Sequence, residues 1–284
     1  MENKTYFHKI ENGEIAYEVT GEGPVLVFLP GWPFNRHTYR KIIPKLALNF
    51  TCVNIDTIGL GESTWDVDTD FSISSQVRYV KSLLNKLEVT NYNLISFDSG
   101  GAIVRALAAS EGRSVNHLIL LNTDIPGERP PWLALYKLIF QSQLGRRLMN
   151  NRFAETFVIP SNLMLGLCFD DLSAIDDEFK QLFVKPMHTN PVYFEGLGRY
   201  LRGFSYREVD HFNDPKGVHQ QIAAPVSMIW GENDQTFPLP SGLAMSKNIP
   251  SFKEFHVIPR SKLLPHEERP GSVVEKMYKC LQID

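Results

Sequence analysis

Asp98 closes a short apolar run and precedes a serine and two glycines, in Asn93-Leu94-Ile95-Ser96-Phe97-Asp98-Ser99-Gly100-Gly101. A helix-forming segment, Ala102 to Ala109, comes next. The order is strand, sharp turn, helix. Such a turn lifts one side chain out at the carboxyl end of a strand. Its usual spacing, G-x-S-x-G, puts the reacting group in the third slot. Here the slots hold Ser96, Phe97, Asp98, Ser99 and Gly100, so the exposed group is a carboxylate and Ser99 comes one place late. A carboxylate attacking an ester or amide gives an anhydride, a poor intermediate. One attacking an sp³ carbon displaces halide or opens an epoxide and leaves an ordinary ester. Water activated by a base can then hydrolyse that ester. The competing reading is a helix cap, since an acid before a helix is common. The rest of the chain has to decide.

The elements around this turn read as an alternation. Thr5 to Ile10 and Glu14 to Thr20 flank Asn12-Gly13, a hairpin signal. Val25 to Leu29 and Thr51 to Ile55 are apolar runs that predict buried strands. A helix is predicted between them, over Tyr39 to Leu48. Val77, Val80, Leu83, Leu84 and Leu87 have helical spacing, so Ser74 to Leu87 is predicted as a helix. Val115 to Leu121 predicts a further strand. Strands alternating with helices argue for a mostly parallel sheet covered on both faces. The alternation stops at Ile125. Pro126, Pro130 and Pro131 open a stretch of aromatic-rich helical pieces: Trp132 to Phe140, Leu144 to Phe157, Asp177 to Val184 and Pro191 to Arg202. The alternation resumes with strand Pro225 to Trp230, helix Leu239 to Ser246, strand Phe252 to Ile258 and helix Gly271 to Leu281. The expected organisation is a core over 1–124, a helical cap over 125–221, and the rest of the core over 222–284.

Composition sets the outer bounds. The 284 residues are 43% hydrophobic and carry a net charge of -3, with no basic run to suggest nucleic acid or an anionic membrane. Cys52, Cys168 and Cys280 are far apart and form no disulfide framework. Neither the cysteines nor the histidines show metal-ligand spacing, and His256 falls inside a predicted strand, so no metal is expected. No apolar leader or membrane-length run is present, and a cytoplasmic protein, monomer or homodimer, is the expectation.

In open parallel sheets, sites gather at the carboxyl ends of strands. Those ends carry Gly31-Trp32-Pro33, Asp56, Asp98, Asp124 and Asp234, and Pro265-His266-Glu267-Glu268-Arg269-Pro270 follows the last strand. Nucleophile, insertion, acid, histidine is the chain order of α/β-hydrolases. The chain resembles that superfamily over nearly its whole length. Pro30-Gly31-Trp32-Pro33 resembles the H-G-x-P oxyanion loop, and Asp56 to Ser63 resembles D-x-x-G-x-G-x-S. Phe97-Asp98-Ser99-Gly100-Gly101 resembles the H-D-W-G-G elbow of epoxide hydrolases and haloalkane dehalogenases, and Gly231-Glu232-Asn233-Asp234 resembles the G-x-x-D of the triad acid.

The resemblance implies a cofactor-free hydrolase opening an epoxide, or displacing halide, on a small apolar electrophile. Asp98 would be nucleophile, Asp234 the orienting acid and His266 the base. Asp124 is a second candidate for the acid. The amides of Trp32 and Ser99 would form the oxyanion site, and Tyr136, Tyr193 and Tyr200 are candidate cap acids toward the opening oxygen. Pro30 stands where the family usually has histidine in the oxyanion loop, and two further departures bear on the chemistry. Ser99 stands where dehalogenases have a halide-holding tryptophan. The family's histidine falls about seven residues before a proline; counting back from Pro270 reaches Leu263, and His266 is four before. Either the loop is rearranged so that His266 serves, or the base is missing. In the second case the protein would be a single-turnover trap, a binder, or an enzyme using another base.

Overall fold

The computed structural model describes residues 4–130, 132–149 and 164–282. Among the described residues nine strands form one sheet: β1 (Tyr6–Ile10), β2 (Gly13–Thr20), β3 (Val25–Leu29), β4 (Thr51–Ile55), β5 (Thr64–Trp65), β6 (Tyr92–Phe97), β7 (Val115–Thr123), β8 (Val226–Gly231) and β9 (Phe252–Ile258). The order is β1-β2-β4-β3-β6-β7-β8-β9, with β5 paired to β2. β1, β2 and β5 pair antiparallel; from β4 to β9 every pairing is parallel. The central parallel strands are mostly apolar because helices cover both faces, whereas the edge strand β9 carries Lys253, Glu254 and His256. Leu26, Phe28, Leu94, Ile95, Ile119, Met228 and Ile229 have no measurable exposure.

The helix Ile73–Lys86 is capped by Ser72, whose hydroxyl accepts from the Ser75 amide. Between β7 and β8 every described element is helical, including Leu133–Gln141 and Pro191–Gly203. The second predicted cap helix, Leu144 to Phe157, is described only over Gln143–Met149; its remainder lies outside the described residues. Asp177 to Val184 also departs from one regular helix: a turn over Asp177–Phe179 passes into a π-helical Lys180–Val184 and on to Lys185–Thr189. The predicted helix Tyr39 to Leu48 breaks into a 3₁₀ turn, Arg36–Tyr39, and one helical turn, Ile43–Leu46. Pro44 explains the break, since it brings no amide to continue the first turn. No helix among the described residues is long and apolar enough to cross a membrane.

The Asp56 motif is structural. Asp56 accepts from the Arg36 amide at 2.7 Å and the Glu62 amide at 2.9 Å, and it pairs with the Arg36 guanidinium. That guanidinium also meets Glu18 at 2.8 Å and Glu62, and only 1% of the Arg36 side chain is exposed. Gly61 has φ +59, and a β-carbon there would overlap the Asp56 carboxylate. The ion cluster therefore fixes the turn after β4 against the segment after β3. Breaking a buried pair leaves uncompensated charge at a cost of about 3–5 kcal/mol. Arg36→Met is expected to lose that much in urea unfolding at neutral pH. A loss under about 1 kcal/mol would mean the acids are solvated.

Candidate active site

The turn after β6 is drawn tight enough to strain Asp98, which has φ +49, a region L-residues avoid without compensation. The compensation is close packing. A β-carbon at Gly100 would overlap the Pro30 carbonyl, and one at Gly101 would overlap the Thr123 hydroxyl. Thr123 Oγ1 donates to the Asp98 carbonyl at 2.8 Å, tying the elbow to the end of β7. Ser96, in the first motif slot, donates to the Leu29 carbonyl at 2.8 Å. The glycines and Thr123 thus hold Asp98 up at the sheet's carboxyl edge.

Ser99 gives the site its particular wiring. Its amide donates to Asp98 Oδ1 at 2.6 Å, as an oxyanion donor should. Its hydroxyl, however, accepts from the Trp32 amide at 3.0 Å and from the Tyr200 hydroxyl at 3.1 Å. The expected pairing of the Trp32 amide with the Asp98 oxygen is therefore replaced: that donor is spent on Ser99 Oγ. A hydroxyl carries one proton and two acceptor sites. With both sites filled, the Ser99 proton is left for the Asp98 carboxylate, whose charge the hydroxyl favours.

Asp234 lies after β8 as expected, with 5% of the residue exposed. Its Oδ2 accepts from Asn122 Nδ2 at 2.7 Å and its Oδ1 from the Thr236 amide at 2.8 Å. Asn122, just past the predicted strand Val115 to Leu121, falls inside β7, which runs on to Thr123, and no local pattern marks it as a partner of Asp234. His266 is not brought to either acid. It is fully buried, its Nε2 hydrogen-bonds Thr38 Oγ1 at 2.8 Å, and its Nδ1 has no partner. Its ring packs on Tyr39 and Phe97 at centroid distances of 5.2 and 4.8 Å. Burial first, then Arg40 and Lys41, lower its pKa to about 3, so it stays neutral. No hydrogen bond joins it to Asp98 or Asp234 among the described residues.

Leu263 instead lines the cavity above Asp98. The loop that presents it is pinned by Glu268, which accepts from the amides of Lys262 at 2.8 Å, Asp170 at 2.8 Å and Asp171 at 3.1 Å. The cavity encloses about 750 Å³ of empty space, part of it open to solvent. Trp32, Phe34, Trp132, Tyr136, Met164 and Phe204 give it an apolar wall. Two of the candidate cap acids, Tyr136 and Tyr200, line it, as does Tyr206. Tyr193 does not; its hydroxyl donates to the Pro33 carbonyl at 3.1 Å. The Trp32 indole N–H is also engaged, with the Leu197 carbonyl at 3.2 Å.

Three buried acids share this region, and among the described residues no hydrogen bond joins any of their carboxyls to an imidazole. Burial, and then the charge of Asp124, push the Asp98 carboxyl well above its ordinary range. Burial lifts Asp234 to about 7, against the bonds from Thr236 and Asn122. Burial lifts Asp124 to about 6, with the Arg105 charge opposing it. Tyr206 also favours the Asp124 charge, yet no donor meets either carboxylate oxygen in hydrogen-bond geometry. Arg105 spends itself elsewhere, on the Asp124 backbone carbonyl at 2.8 Å, the Gly101 carbonyl at 3.0 Å and His219 at 2.9 Å.

A family model described as alpha/beta hydrolase fold matches residues 24–270. A haloalkane dehalogenase of Mesorhizobium japonicum is 29% identical over 184 residues, which span 62% of this chain and 58% of that protein. A 2-hydroxy-6-oxononadienedioate/2-hydroxy-6-oxononatrienedioate hydrolase of Cupriavidus pinatubonensis is 24% identical over 89% of this chain and 87% of its own. Among solved structures, that of the epoxide hydrolase CorEH superposes with a TM-score of 0.78 at 20% identity, covering 99% of both chains. Such an identity speaks for the fold alone. The parallel sheet, the strained elbow after β6 and the match across residues 24–270 lead to one statement: this chain belongs to the α/β-hydrolase fold family.

Proposed function

We propose that the cavity above Asp98, roofed by residues 125–221 as a cap, takes up a small apolar electrophile, and that Asp98 is alkylated there without efficient release. The observation that carries this is that, among the described residues, Leu263 and no histidine lines the cavity that Asp98 also lines. An epoxide fits better than a halide. A departing halide needs N–H donors, and the Trp32 indole is already engaged. An opening epoxide oxygen needs a proton, and Tyr136 and Tyr206 line the cavity, while the Tyr200 hydroxyl there is committed to Ser99 Oγ. The Asp98 carboxylate attacks one ring carbon, the C–O bond breaks, and the ring oxygen takes a proton from a tyrosine that solvent reprotonates. The product is a hydroxyalkyl ester on Asp98.

Hydrolysis of that ester asks for a base and for a donor to the new oxyanion. His266 is held by Thr38, so the base is out of place, and the Trp32 amide is held by Ser99, so the Ser99 amide is left as the one backbone oxyanion donor on Asp98 among the described residues. The dehalogenase among the relatives supports attack at an sp³ carbon; the arrangement around Leu263 supports capture over turnover. Intact-mass measurement after incubation with a panel of epoxides and alkyl halides tests this. The native chain is expected to gain the mass of one epoxide, and Asp98→Asn none. Diol accumulating over many equivalents with no adduct would replace capture by turnover. Absence of both adduct and product across the panel would remove Asp98 as a nucleophile.

A further inference from the structure

The edge of the sheet far along from the elbow carries a second group of reactive side chains. Glu254 and His256 stand two apart on β9, so strand alternation places both on one face. The carboxy-terminal helix, Pro270–Cys280, packs against β8 and β9, and its last residue is Cys280. One donor atom from each of Glu254, His256 and Cys280 falls within 4.8 Å of the others. His256 Nε2 lies 2.8 Å from Glu254 Oε2, yet that nitrogen is buried and has no partner in hydrogen-bond geometry. The environment is enclosed: Cys280 is 3% exposed and the His256 side chain 11%. Glu254 is held from behind by neighbouring strands. Ser227 on β8 reaches its Oε1 at 3.5 Å, and His117 on β7 meets the Ser227 hydroxyl at 2.8 Å.

We propose that Glu254, His256 and Cys280 bind a divalent transition-metal ion of the zinc type. A thiolate, an imidazole and a carboxylate form a donor set suited to zinc, which accepts all three at about 2.0–2.3 Å. Tetrahedral donors at those bond lengths stand about 3.3–3.8 Å apart, so the thiolate closes in while His256 Nε2 and Glu254 Oε2, now 2.8 Å apart, separate slightly. A fourth position is left for water on the exposed side of Glu254, whose side chain is 30% exposed. Binding replaces the Cys280 S–H bond by a metal–sulfur bond and releases that proton to solvent. Burial holds the free thiol up to about 12, so the metal has to supply the driving force for that loss. Ser227, hydrogen-bonded to His117, orients the carboxylate, the arrangement that supports ligands elsewhere. The ion would tie the carboxy-terminal helix to the edge strand, away from the cavity above Asp98.

The test uses the full-length chain, freed of metal with a chelator and kept reduced with a phosphine. Titration with cobalt(II) is expected to give a thiolate-to-metal charge-transfer band that saturates at one equivalent, with release of one proton. Zinc is expected to displace the cobalt and to raise the melting temperature. Cys280→Ser should lose the band while Cys52→Ser keeps it, and His256→Ala should weaken binding at least about tenfold. A band that survives in Cys280→Ser, or no band and no zinc-dependent melting shift in the native chain, overturns the site. If Cys280→Ser does not fold, His256→Ala and Glu254→Gln carry the test, and unchanged affinity in both refutes the assignment.

Discussion

Leu263→His is expected to turn a persistent ester on Asp98 into a hydrolysed one. Leu263 is 3% exposed and lines the cavity together with Asp98 and Thr236, whose amide holds Asp234. An imidazole placed there shares the cavity with the nucleophile, and the prediction requires it to reach Asp234, which accepts from Asn122 and from the Thr236 amide. Asp234 would then have the cation it lacks, and its pKa, now about 7, should fall. A positioned general base contributes about 10²–10⁴-fold. Single-turnover mass spectrometry should show the adduct decaying faster by a factor in that range. Leu263→Gln, polar but not basic, should leave it in place. Ser99→Ala attacks the other deficit by freeing the Trp32 amide now held at 3.0 Å. An oxyanion donor is worth about 10²–10³ in rate, so Leu263→His with Ser99→Ala should outrun Leu263→His alone. If the ester outlives both changes in folded protein, the missing imidazole is not what retains it.

The same residues explain how far the sequence could be read. Asp56, Asp98, Asp124 and Asp234 each follow an apolar run, and each lies just beyond the carboxyl end of a parallel strand, because period and run length specify a buried strand directly. Counting from Pro270 raised Leu263 against His266. Only packing shows that His266 turns toward Thr38 and Phe97, since a side chain's direction after a loop depends on what pins the loop, here Glu268. Ser99 was legible as a departure from the family pattern. That its hydroxyl captures the Trp32 amide depends on the distance between two loops 67 positions apart. Asp56 looked like a site residue and proves to be the anchor of Arg36, a long-range pairing no local pattern encodes. The cluster at Glu254, His256 and Cys280 is assembled by strand alternation and by where the last helix ends, so no cysteine–histidine spacing could announce it.

Asp124→Asn is expected to make the protein more stable above neutral pH and no more stable in acid. Asp124 is fully buried and no donor meets its carboxylate oxygens in hydrogen-bond geometry, so the amide oxygen of Asn has only the neighbouring Tyr206 hydroxyl to satisfy in its place. Its pKa rises from 3.8 to about 6 because burial disfavours the charge more than Arg105 supports it. An acid whose folded pKa is raised holds its proton more tightly in the native state. Its contribution is therefore intact below pH 3.8 and is lost as pH climbs through about 6. At 1.36 kcal/mol per unit, the loss is on the order of 3 kcal/mol. Asn, neutral throughout, escapes it. Urea unfolding should find the variant level with the native chain near pH 3.5 and more stable by up to about that amount at pH 8. Equal stability of the two at pH 8 would mean that Asp124 is solvated or paired as a carboxylate. The substitution also reaches Asp98, since the Asp124 charge is the second cause of its raised pKa. Only ionised Asp98 can attack carbon. Removing its neighbour's charge should shift the pH midpoint of epoxide adduct formation downward, while Asp98→Asn forms no adduct at any pH. A midpoint that does not move would uncouple the two carboxyls and leave burial alone to set the reactivity of the elbow.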